Sequence, residues 1–171
     1  MSFTGPVRIP DMSEPTVVQR PEQPYAAIAI RATLREWGEV NALVPEVFEW
    51  LARQGTQPAG ALFYRHRIIG GMDEKFTVEV GVPVAAPPAG DGRVVAGAKP
   101  AGRYVVATHH GHPDGIAASH LALVEWAGRA GIALAKDGEE WLGMFESYLT
   151  DPAVQPDPDK WETELAYLVA G

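Results

Sequence analysis

The sequence predicts an α+β fold: two similar strand–helix–strand–strand units form one antiparallel sheet, with two main helices on one face. Apolar residues recur at spacings of three and four in two stretches and alternate in several others, and both patterns repeat in the same order. The chain has 171 residues and 46% of them are hydrophobic, which is enough for a sizeable core. We expect an arm over residues 1–15 and a single domain over 16–171, with halves at about 16–86 and 93–171.

The first half begins with extended segments and continues into a helix. Alternation predicts strands at 16–20 and, after a proline-bounded break, at 25–30. The apolar spacing predicts a helix over 38–54 that stops at Gly55. Pro45 lies inside this pattern and predicts a kink, or a helix that begins close to it. Two alternating strands complete the half, at 61–67 and 76–84.

The second half follows a connector rich in proline and glycine at 87–92. Strands are predicted at 93–98 and 103–110, separated by a turn. A second helix is predicted from Asp114, a good N-cap residue, to Ala130, just before a glycine. Two further strands complete the chain, at 141–149 and 161–169.

The two halves resemble each other in sequence as well as in the order of their elements, which predicts pseudo-twofold symmetry. Aromatic, apolar and acidic residues recur at matching places in the two halves. The matching segments are Tyr25–Ile28 with Tyr104–Ala107, Phe48–Gly55 with Val124–Gly131, Phe76 with Trp161, and Glu79 with Glu164. Glu79 alternates with valines, so it either faces solvent or has a structural role; its match with Glu164 favours the second.

Glu146 is the one carboxylate in an otherwise apolar strand. Alternation places Leu142, Met144, Glu146 and Tyr148 on one face and Trp141, Phe145 and Leu149 on the other. An unpaired buried charge is costly, so Glu146 either meets a pocket, is buried with a partner, or faces solvent on an edge strand. A carboxylate at the base of an aromatic-lined pocket favours cationic or polarised organic molecules.

Composition and charge narrow the classes of partner. The formal net charge of −8 argues against nucleic acid, because phosphate binding depends on clustered Lys and Arg. No apolar run is long enough to span a membrane, and no signal peptide is readable, so we expect a cytoplasmic protein without a membrane partner. The chain has no cysteine, which excludes disulfides and a cysteine nucleophile. The sequence indicates no cofactor.

Other motifs are weaker. His109, His110 and His112 lie close to Asp114, but no third well-placed ligand is evident, so we expect turn and capping roles and no metal. Ser119-His120 lacks a nucleophile elbow and an ordered acid partner, which argues against a hydrolase triad. The glycine-rich segments do not form a phosphate loop.

Four segments together resemble the GyrI-like (gyrase-inhibitor-like) small-molecule-binding domain, which also occurs as the effector-binding domain of multidrug-responsive transcription regulators. These segments are Phe76–Val84, His110–Asp114 leading into the second helix, Phe145–Pro152 and Trp161–Leu165. With their order and spacing they cover nearly the whole chain from about Thr16 onward. The sequence contains no helix-turn-helix or other DNA-binding region, so it resembles stand-alone members of the family.

The resemblance implies a ligand cleft between the two helices, against the sheet, with Glu146 neutralising cationic aromatic compounds. The family usually has Gly-Pro-Tyr-Asp before the second helix, where this chain has Gly111-His112-Pro113-Asp114, so this segment has no tyrosine to make the family's usual contact. The predicted ligand-binding residues are Glu146, Tyr148, Trp37, Tyr64, Met144, Trp141, His112 and Tyr167.

Three functions stay open. The first is a non-catalytic binder of small hydrophobic, aromatic or cationic organic compounds. The second is a hydrolase of electrophilic cyclopropane-containing natural products, as some stand-alone relatives are, in which Glu146 activates water and Tyr148 donates a hydrogen bond. The third is a module that binds a larger protein partner through its acidic surface. The sequence does not specify the ligand or the oligomeric state.

Overall fold

A computed structural model describes residues 11–171 and confirms the α+β class. One antiparallel sheet of eight strands carries the main helices on one face, and a small hairpin lies beside it. The sheet strands are β1 (Thr16–Arg20), β2 (Gln23–Ala32), β3 (Phe63–Ile68), β4 (Phe76–Pro83), β5 (Val95–Lys99), β6 (Gly102–His110), β9 (Met144–Tyr148) and β10 (Glu162–Leu168); β7 (Lys136–Asp137) and β8 (Glu140–Trp141) form the hairpin. The helices are α1 (Trp37–Asn41), α2 (Leu43–Gln54) and α3 (Ile116–Arg129).

The pairing register reveals the internal symmetry. The strand order is β1-β6-β10-β9-β3-β4-β2-β5, so two four-strand halves meet where β9 pairs with β3. Tyr64 is directly opposite Glu146 at this seam. Reading outward through paired residues, Tyr64–Val80–Ile28 corresponds to Glu146–Leu165–Ala107. This register reproduces the matches predicted from sequence.

The first helical segment is broken where the sequence suggested a kink. A 3₁₀ turn and α1 precede α2, and the break lies at Ala42. Pro45 occupies the first turn of α2, where its missing N–H has no helical partner to lose. Gly55 ends α2 with a φ of 66°, a left-handed conformation that suits glycine.

The helix α3 begins later than its apolar spacing and N-cap signal predict. Asp114 lies in a 3₁₀ turn, Pro113–Gly115, and the helix proper begins at Ile116. The Asp114 N–H donates to Nδ1 of His112, so His112 and not Asp114 supplies the capping side chain. The prediction of Asp114 as the N-cap is therefore wrong.

Trp141 lies on a different side of the sheet from the one that alternation predicts. The chain bends at Leu142 and Gly143, so β9 begins at Met144 and Trp141 belongs to β8. A Cβ on Gly143 would come within 2.6 Å of the Leu168 side chain, so this bend requires glycine. The Trp141 ring contacts Tyr167, on the face that carries Met144. Side chains alternate between faces only within a continuous strand, so the prediction for Trp141 fails across the bend.

The sheet curls so strongly that its edges approach each other. The strand β1 lies at one edge of the sheet, and only two residues link it to β2, which is next to the strand at the other edge. Two residues likewise link β5, at that other edge, to β6, which is next to β1. Arg20 and Lys99, at the ends of the two edge strands, line one cavity. The concave face thus encloses its own apolar cluster, formed by Tyr25, Ala27, Phe63, Tyr104, Phe145 and Ala166.

The helix-bearing face packs two further clusters, one for each half. The first joins α1 and α2 to β2 and β4, and the second joins α3 to β6 and β10. The seam strands β3 and β9 lie between these two clusters. Side chains on the helix-bearing side of the seam therefore lie between α1 and α2 on one side and α3 on the other. No helix in the described residues is long and apolar enough to cross a membrane.

The predicted arm is described only in part. Residues 1–10 lie outside the described residues. Met12 forms a β-bridge with His109, and the Ser13 N–H donates to the Thr108 carbonyl at 2.9 Å. This part of the chain therefore lies along β6, just before the point where β1 begins to pair with the same strand.

Candidate functional site

Glu146 lies at the centre of the seam on the helix-bearing face. It is flanked by Tyr64 on β3 and by Leu165 on β10. Its side chain is 12% exposed, so the carboxylate is largely withdrawn from water. Such a group requires polar partners, because desolvation of an unpaired charge is costly.

Three side chains from three different elements surround the carboxylate. Nε2 of His120, on α3, is 2.6 Å from Oε1. The Tyr148 hydroxyl donates to Oε2 at 2.7 Å. Nε2 of His66, on β3, is 3.3 Å from Oε1, close enough for an ion pair but without hydrogen-bond geometry. Both carboxylate oxygens therefore have a partner within the protein.

His120 connects the carboxylate to a second phenol. Its Nδ1 is 2.6 Å from the Tyr167 hydroxyl. With Glu146 ionised, Nε2 carries a proton that it donates to Oε1. Nδ1 then accepts from the Tyr167 hydroxyl when the imidazole is neutral and donates to it when the imidazole is charged. The chain Tyr167–His120–Glu146–Tyr148 is thus a continuous path of hydrogen bonds.

The electrostatics favour an ionised Glu146 among neutral phenols. Burial opposes its charge, but the His66 imidazole and the hydrogen bond from His120 outweigh burial and hold the pKa of Glu146 well below its usual range. Burial, reinforced by the Glu146 charge, raises the pKa of Tyr148 well above its usual value. The same two causes raise the pKa of Tyr64 and of Tyr167. All three phenols can therefore donate hydrogen bonds at neutral pH.

Aromatic rings surround this polar centre. The half-buried Trp37 ring stacks on His66, with 9° between the planes and 6.0 Å between the ring centroids. Tyr64 meets Tyr148 edge-on at 5.1 Å, and its hydroxyl donates to Asn41 at 2.7 Å. These contacts connect α1 to the seam.

The structure brings some of the predicted site residues together and leaves others apart. Glu146, Tyr148, Tyr64 and Trp37 form one group with His66. Tyr167 joins it through His120. Three of the predicted residues have their main interactions elsewhere: Met144 is buried in the second-half cluster, Trp141 packs behind Tyr167, and His112 caps the turn before α3 with its side chain 47% exposed.

Sequence reasoning did not assign His66 or His120, the two imidazoles of the site, as ligand-binding residues. It weighed His120 only with Ser119 and expected no acid partner, and the structure corrects this, because Glu146 lies 2.6 Å from Nε2 of His120. His66 is two residues after Tyr64 on the same strand and so shares its face. His120 follows Ile116 by four residues and precedes Leu123 by three, so it lies in the buried stripe of α3. The signal available in the sequence was a histidine on the same strand face as Tyr64 and a histidine within the apolar stripe of α3.

His109 has a structural role. Nδ1 of the buried His109 is 2.7 Å from Oγ of Ser119, and its Nε2 is 3.0 Å from the His112 carbonyl. Within residues 11–171 no three His, Asp or Glu side chains are arranged to hold a metal ion.

The sequence matches the family of the GyrI-like small molecule binding domain over residues 13–169. This chain belongs to the GyrI-like family. Its seam and aromatic surroundings therefore belong to a domain class that binds small molecules. No curated protein is significantly similar to this GyrI-like chain in sequence.

Solved structures share the GyrI-like fold at low sequence identity. The C-terminal domain of EcmrR is 17% identical, with a TM-score of 0.76; the match covers 92% of this chain and 97% of that one. SAV2435 bound to tetraphenylphosphonium is 12% identical, with a TM-score of 0.62 and coverage of 93% and 95%. A hydrolase from Listeria innocua is 14% identical, with a TM-score of 0.59 and coverage of 92% for both chains.

One similar structure is longer than this GyrI-like chain. The match to EcmrR in a DNA complex is 18% identical with a TM-score of 0.78, and it covers 91% of this chain but 57% of that one. At these identities the similarity establishes the fold alone.

Proposed function

We propose that this protein binds small aromatic or cationic organic compounds at the Glu146 centre, between the helical layers of the two halves. The observation that carries the proposal is an ionised, largely buried carboxylate with aromatic rings around it. Aromatic faces and a fixed negative charge both attract an organic cation. Burial of apolar ligand surface would supply most of the affinity, at about 25 cal/mol per Å².

Binding would require side chains around Glu146 to move, because they now contact one another. Trp37 is the best placed to move, since it belongs to the five-residue helix α1 and is only half-buried. Its stacking on His66 and its edge contact with Phe76 would be exchanged for contacts with the ligand. The ligand would thereby meet His66, whose ring nitrogens make no hydrogen bond within the described residues.

A titration with a lipophilic cation and a neutral analogue tests the role of the charge. Tetraphenylphosphonium and triphenylphosphine oxide would be titrated against the wild type and Glu146→Gln by calorimetry. We expect the substitution to weaken binding of the cation about tenfold or more, and to change binding of the neutral compound less than threefold. Equal losses for both compounds would show that Glu146 shapes the site without providing charge selectivity.

Glu164→Gln is the matched control. Glu164 is on the neighbouring strand β10 but points to the concave face, where it pairs with Arg20. The same chemical change there removes one negative charge at a similar place in the fold and leaves the Glu146 centre intact. Tetraphenylphosphonium should bind this variant as it binds the wild type. Absence of binding to the wild type would reject the proposal itself.

A second candidate function is hydrolysis of strained electrophiles, favoured by the hydrogen-bonded path from Tyr167 to Tyr148. In such a reaction the Tyr167 hydroxyl would take a proton from water and pass its own proton to Nδ1 of His120, which Glu146 orients, as the water oxygen attacks a cyclopropane carbon. The ring C–C bond would break, with its electron pair delocalised into an adjacent conjugated carbonyl. Tyr148 would hydrogen-bond that carbonyl oxygen, and a proton would finally return to the carbon that was released.

Incubation with an electrophilic, carbonyl-conjugated cyclopropane tests this candidate. The expected product is the ring-opened alcohol, heavier than the substrate by one water. His120→Asn should abolish turnover while reducing tetraphenylphosphonium affinity little, because an amide cannot act as the base. Turnover by the wild type no faster than in buffer would reject hydrolysis and leave the binding proposal unaffected.

A further inference from the structure

The opposite, concave face of the sheet holds an amine in an unusual setting. Lys99 ends β5, and its Nζ lies 4.3 Å from the ring centroid of Phe63 and 5.0 Å from that of Phe145. Within residues 11–171 this Nζ has neither a hydrogen-bond partner nor an ion-pair partner. Its polar interactions there are limited to the faces of two rings, which attract a cation more weakly than water does.

A cavity of about 40 Å³ adjoins this lysine. A cavity needs about 10–15 Å³ of such space to hold one water, so this cavity has room for a reagent of only a few heavy atoms. Its lining combines apolar and polar groups from both ends of the curled sheet, among them Arg20, Lys99, Phe145, Ser147 and Glu164.

Desolvation makes this amine chemically distinct. Burial lowers the pKa of Lys99 to about 8; the Glu164 charge opposes this shift, and the charges of Arg20 and Arg65 add to it. The other three lysines, Lys75, Lys136 and Lys160, are exposed. At neutral pH the unprotonated, nucleophilic fraction of Lys99 is therefore larger than that of an ordinary lysine by roughly two orders of magnitude.

We propose that Lys99 is a nucleophilic amine site that forms imines with one- and two-carbon aldehydes entering the concave-face cavity. The unprotonated Nζ adds to the aldehyde carbon, and the carbonyl oxygen takes up a proton. The resulting carbinolamine then loses water, forming the C=N bond, and the nitrogen proton is released with it or retained as an iminium. No oxidant or reductant is needed.

The surroundings favour an imine over other lysine adducts. An iminium keeps a positive charge over Phe63 and Phe145, so the attraction to the ring faces is retained. Carbamylation by carbon dioxide would instead place an anion against those same faces. The limited space also disfavours bulky reagents, and low local water favours the dehydration step.

Reductive trapping tests the proposal. The full chain would be treated with limiting formaldehyde and sodium cyanoborohydride at pH 7, and methylation at each lysine would be quantified by peptide mass spectrometry. We expect Lys99 to react about tenfold faster than the mean of Lys75, Lys136 and Lys160, since its larger neutral fraction outweighs its lower basicity and restricted access. Its rate should rise with pH and level off near pH 8, whereas theirs keep rising.

Two variants locate the reaction. Lys99→Arg should remove the fast-reacting site and leave the other three rates unchanged. Ser147→Val, which narrows the cavity with a residue that suits a strand, should slow Lys99 alone. A wild-type rate at Lys99 equal to or below that of the exposed lysines overturns the proposal whatever the variants do. That failure would not affect the Glu146 site, which lies on the other face.

Discussion

The two halves of the sheet share a scaffold but differ at equivalent polar positions. Tyr25 and Tyr104, Phe63 and Phe145, and Glu79 and Glu164 occupy matching places. At the seam, however, Tyr64 of the first half corresponds to Glu146 of the second, and His66 corresponds to Tyr148. Duplication therefore supplies the sheet and its packing, whereas divergence of a few seam residues supplies the charged centre.

The concave face shows the same contrast. Arg20 and Lys99 end equivalent edge strands, but Arg20 donates to Glu164 at 2.6 and 3.1 Å, whereas Lys99 rests on two rings. Glu79, the counterpart of Glu164, accepts from Arg67 and from Tyr25 instead. Glu79 is thus buried in a structural network and does not face solvent. Lys99, the counterpart of Arg20, has no carboxylate partner among the described residues.

The largest expected effect tests whether the scaffold is symmetric. Phe63→Ala and Phe145→Ala each remove a fully buried ring at matching places on the seam. Each should lower the free energy of unfolding by about 3–5 kcal/mol, because a large cavity remains. Urea denaturation of both variants should give values within about 1 kcal/mol of each other. A much larger difference would mean that one half carries most of the stability.

The next pair breaks the symmetry. The Tyr25 hydroxyl donates to Glu79 at 2.8 Å and accepts from Arg65 at 2.9 Å, whereas the Tyr104 hydroxyl donates only to the Pro100 carbonyl. Tyr25→Phe leaves two buried charged groups short of a partner and should cost about 2 kcal/mol, against about 1 kcal/mol for Tyr104→Phe. Thermal denaturation of the two variants in parallel would measure the difference.

A pH comparison isolates the charged half of the seam. The folded-state pKa of Glu146 is below its unfolded value of about 4.3, so the ionised carboxylate stabilises the fold above that pH. This contribution is lost as pH falls below about 4 and through the folded-state pKa. The slope of unfolding free energy against pH should therefore be shallower in Glu146→Gln, by up to about 1.4 kcal/mol per pH unit. Denaturant titrations between pH 5 and pH 2.5 would measure it.

Tyr64→Phe is the control for that experiment, because it changes the matching residue without removing a carboxylate. Its stability should be lower at every pH, with the slope of the wild type. Parallel slopes for the wild type and Glu146→Gln would contradict the assignment of an ionised Glu146.

The smallest expected effect returns to the shared scaffold. Gly55 and Gly131 follow α2 and α3 at matching places, with φ values of 66° and 72°, and a side chain at either position would extend into open space. Alanine at either site should cost about 1 kcal/mol through backbone strain alone. Equal shifts in the urea midpoint would confirm that the two helix ends are equivalent.

Most of the fold was predictable because periodicity and the repeat report local geometry. The strands, the two helices and the repeat register follow from apolar spacing, and Gly55 ends its helix as expected. Trp141 was placed on the wrong face because alternation fails across a bend, and that bend depends on close contact between Gly143 and Leu168.

The candidate site was only partly predictable, for a different reason. Glu146 is conspicuous as the one charge in an apolar strand, and Tyr148 is its neighbour on the same face. His66 and His120 reach it from β3 and α3, 80 and 26 residues away along the chain, and no local pattern reports such distances. The two imidazoles change the chemistry of the site, because the Glu146 carboxylate already has two basic partners before any ligand binds.

The short connections from β1 to β2 and from β5 to β6 make the two halves interdependent. Each half of the sequence supplies the outermost strand to the part of the sheet formed mainly by the other: β1 pairs with β6, and β5 pairs with β2. A chain cut in the loop at 87–92 would yield two fragments, each with a sheet that lacks its border strand and exposes unpaired backbone groups. We expect neither fragment to fold on its own, and we expect a mixture of the two to rebuild the seam between β3 and β9.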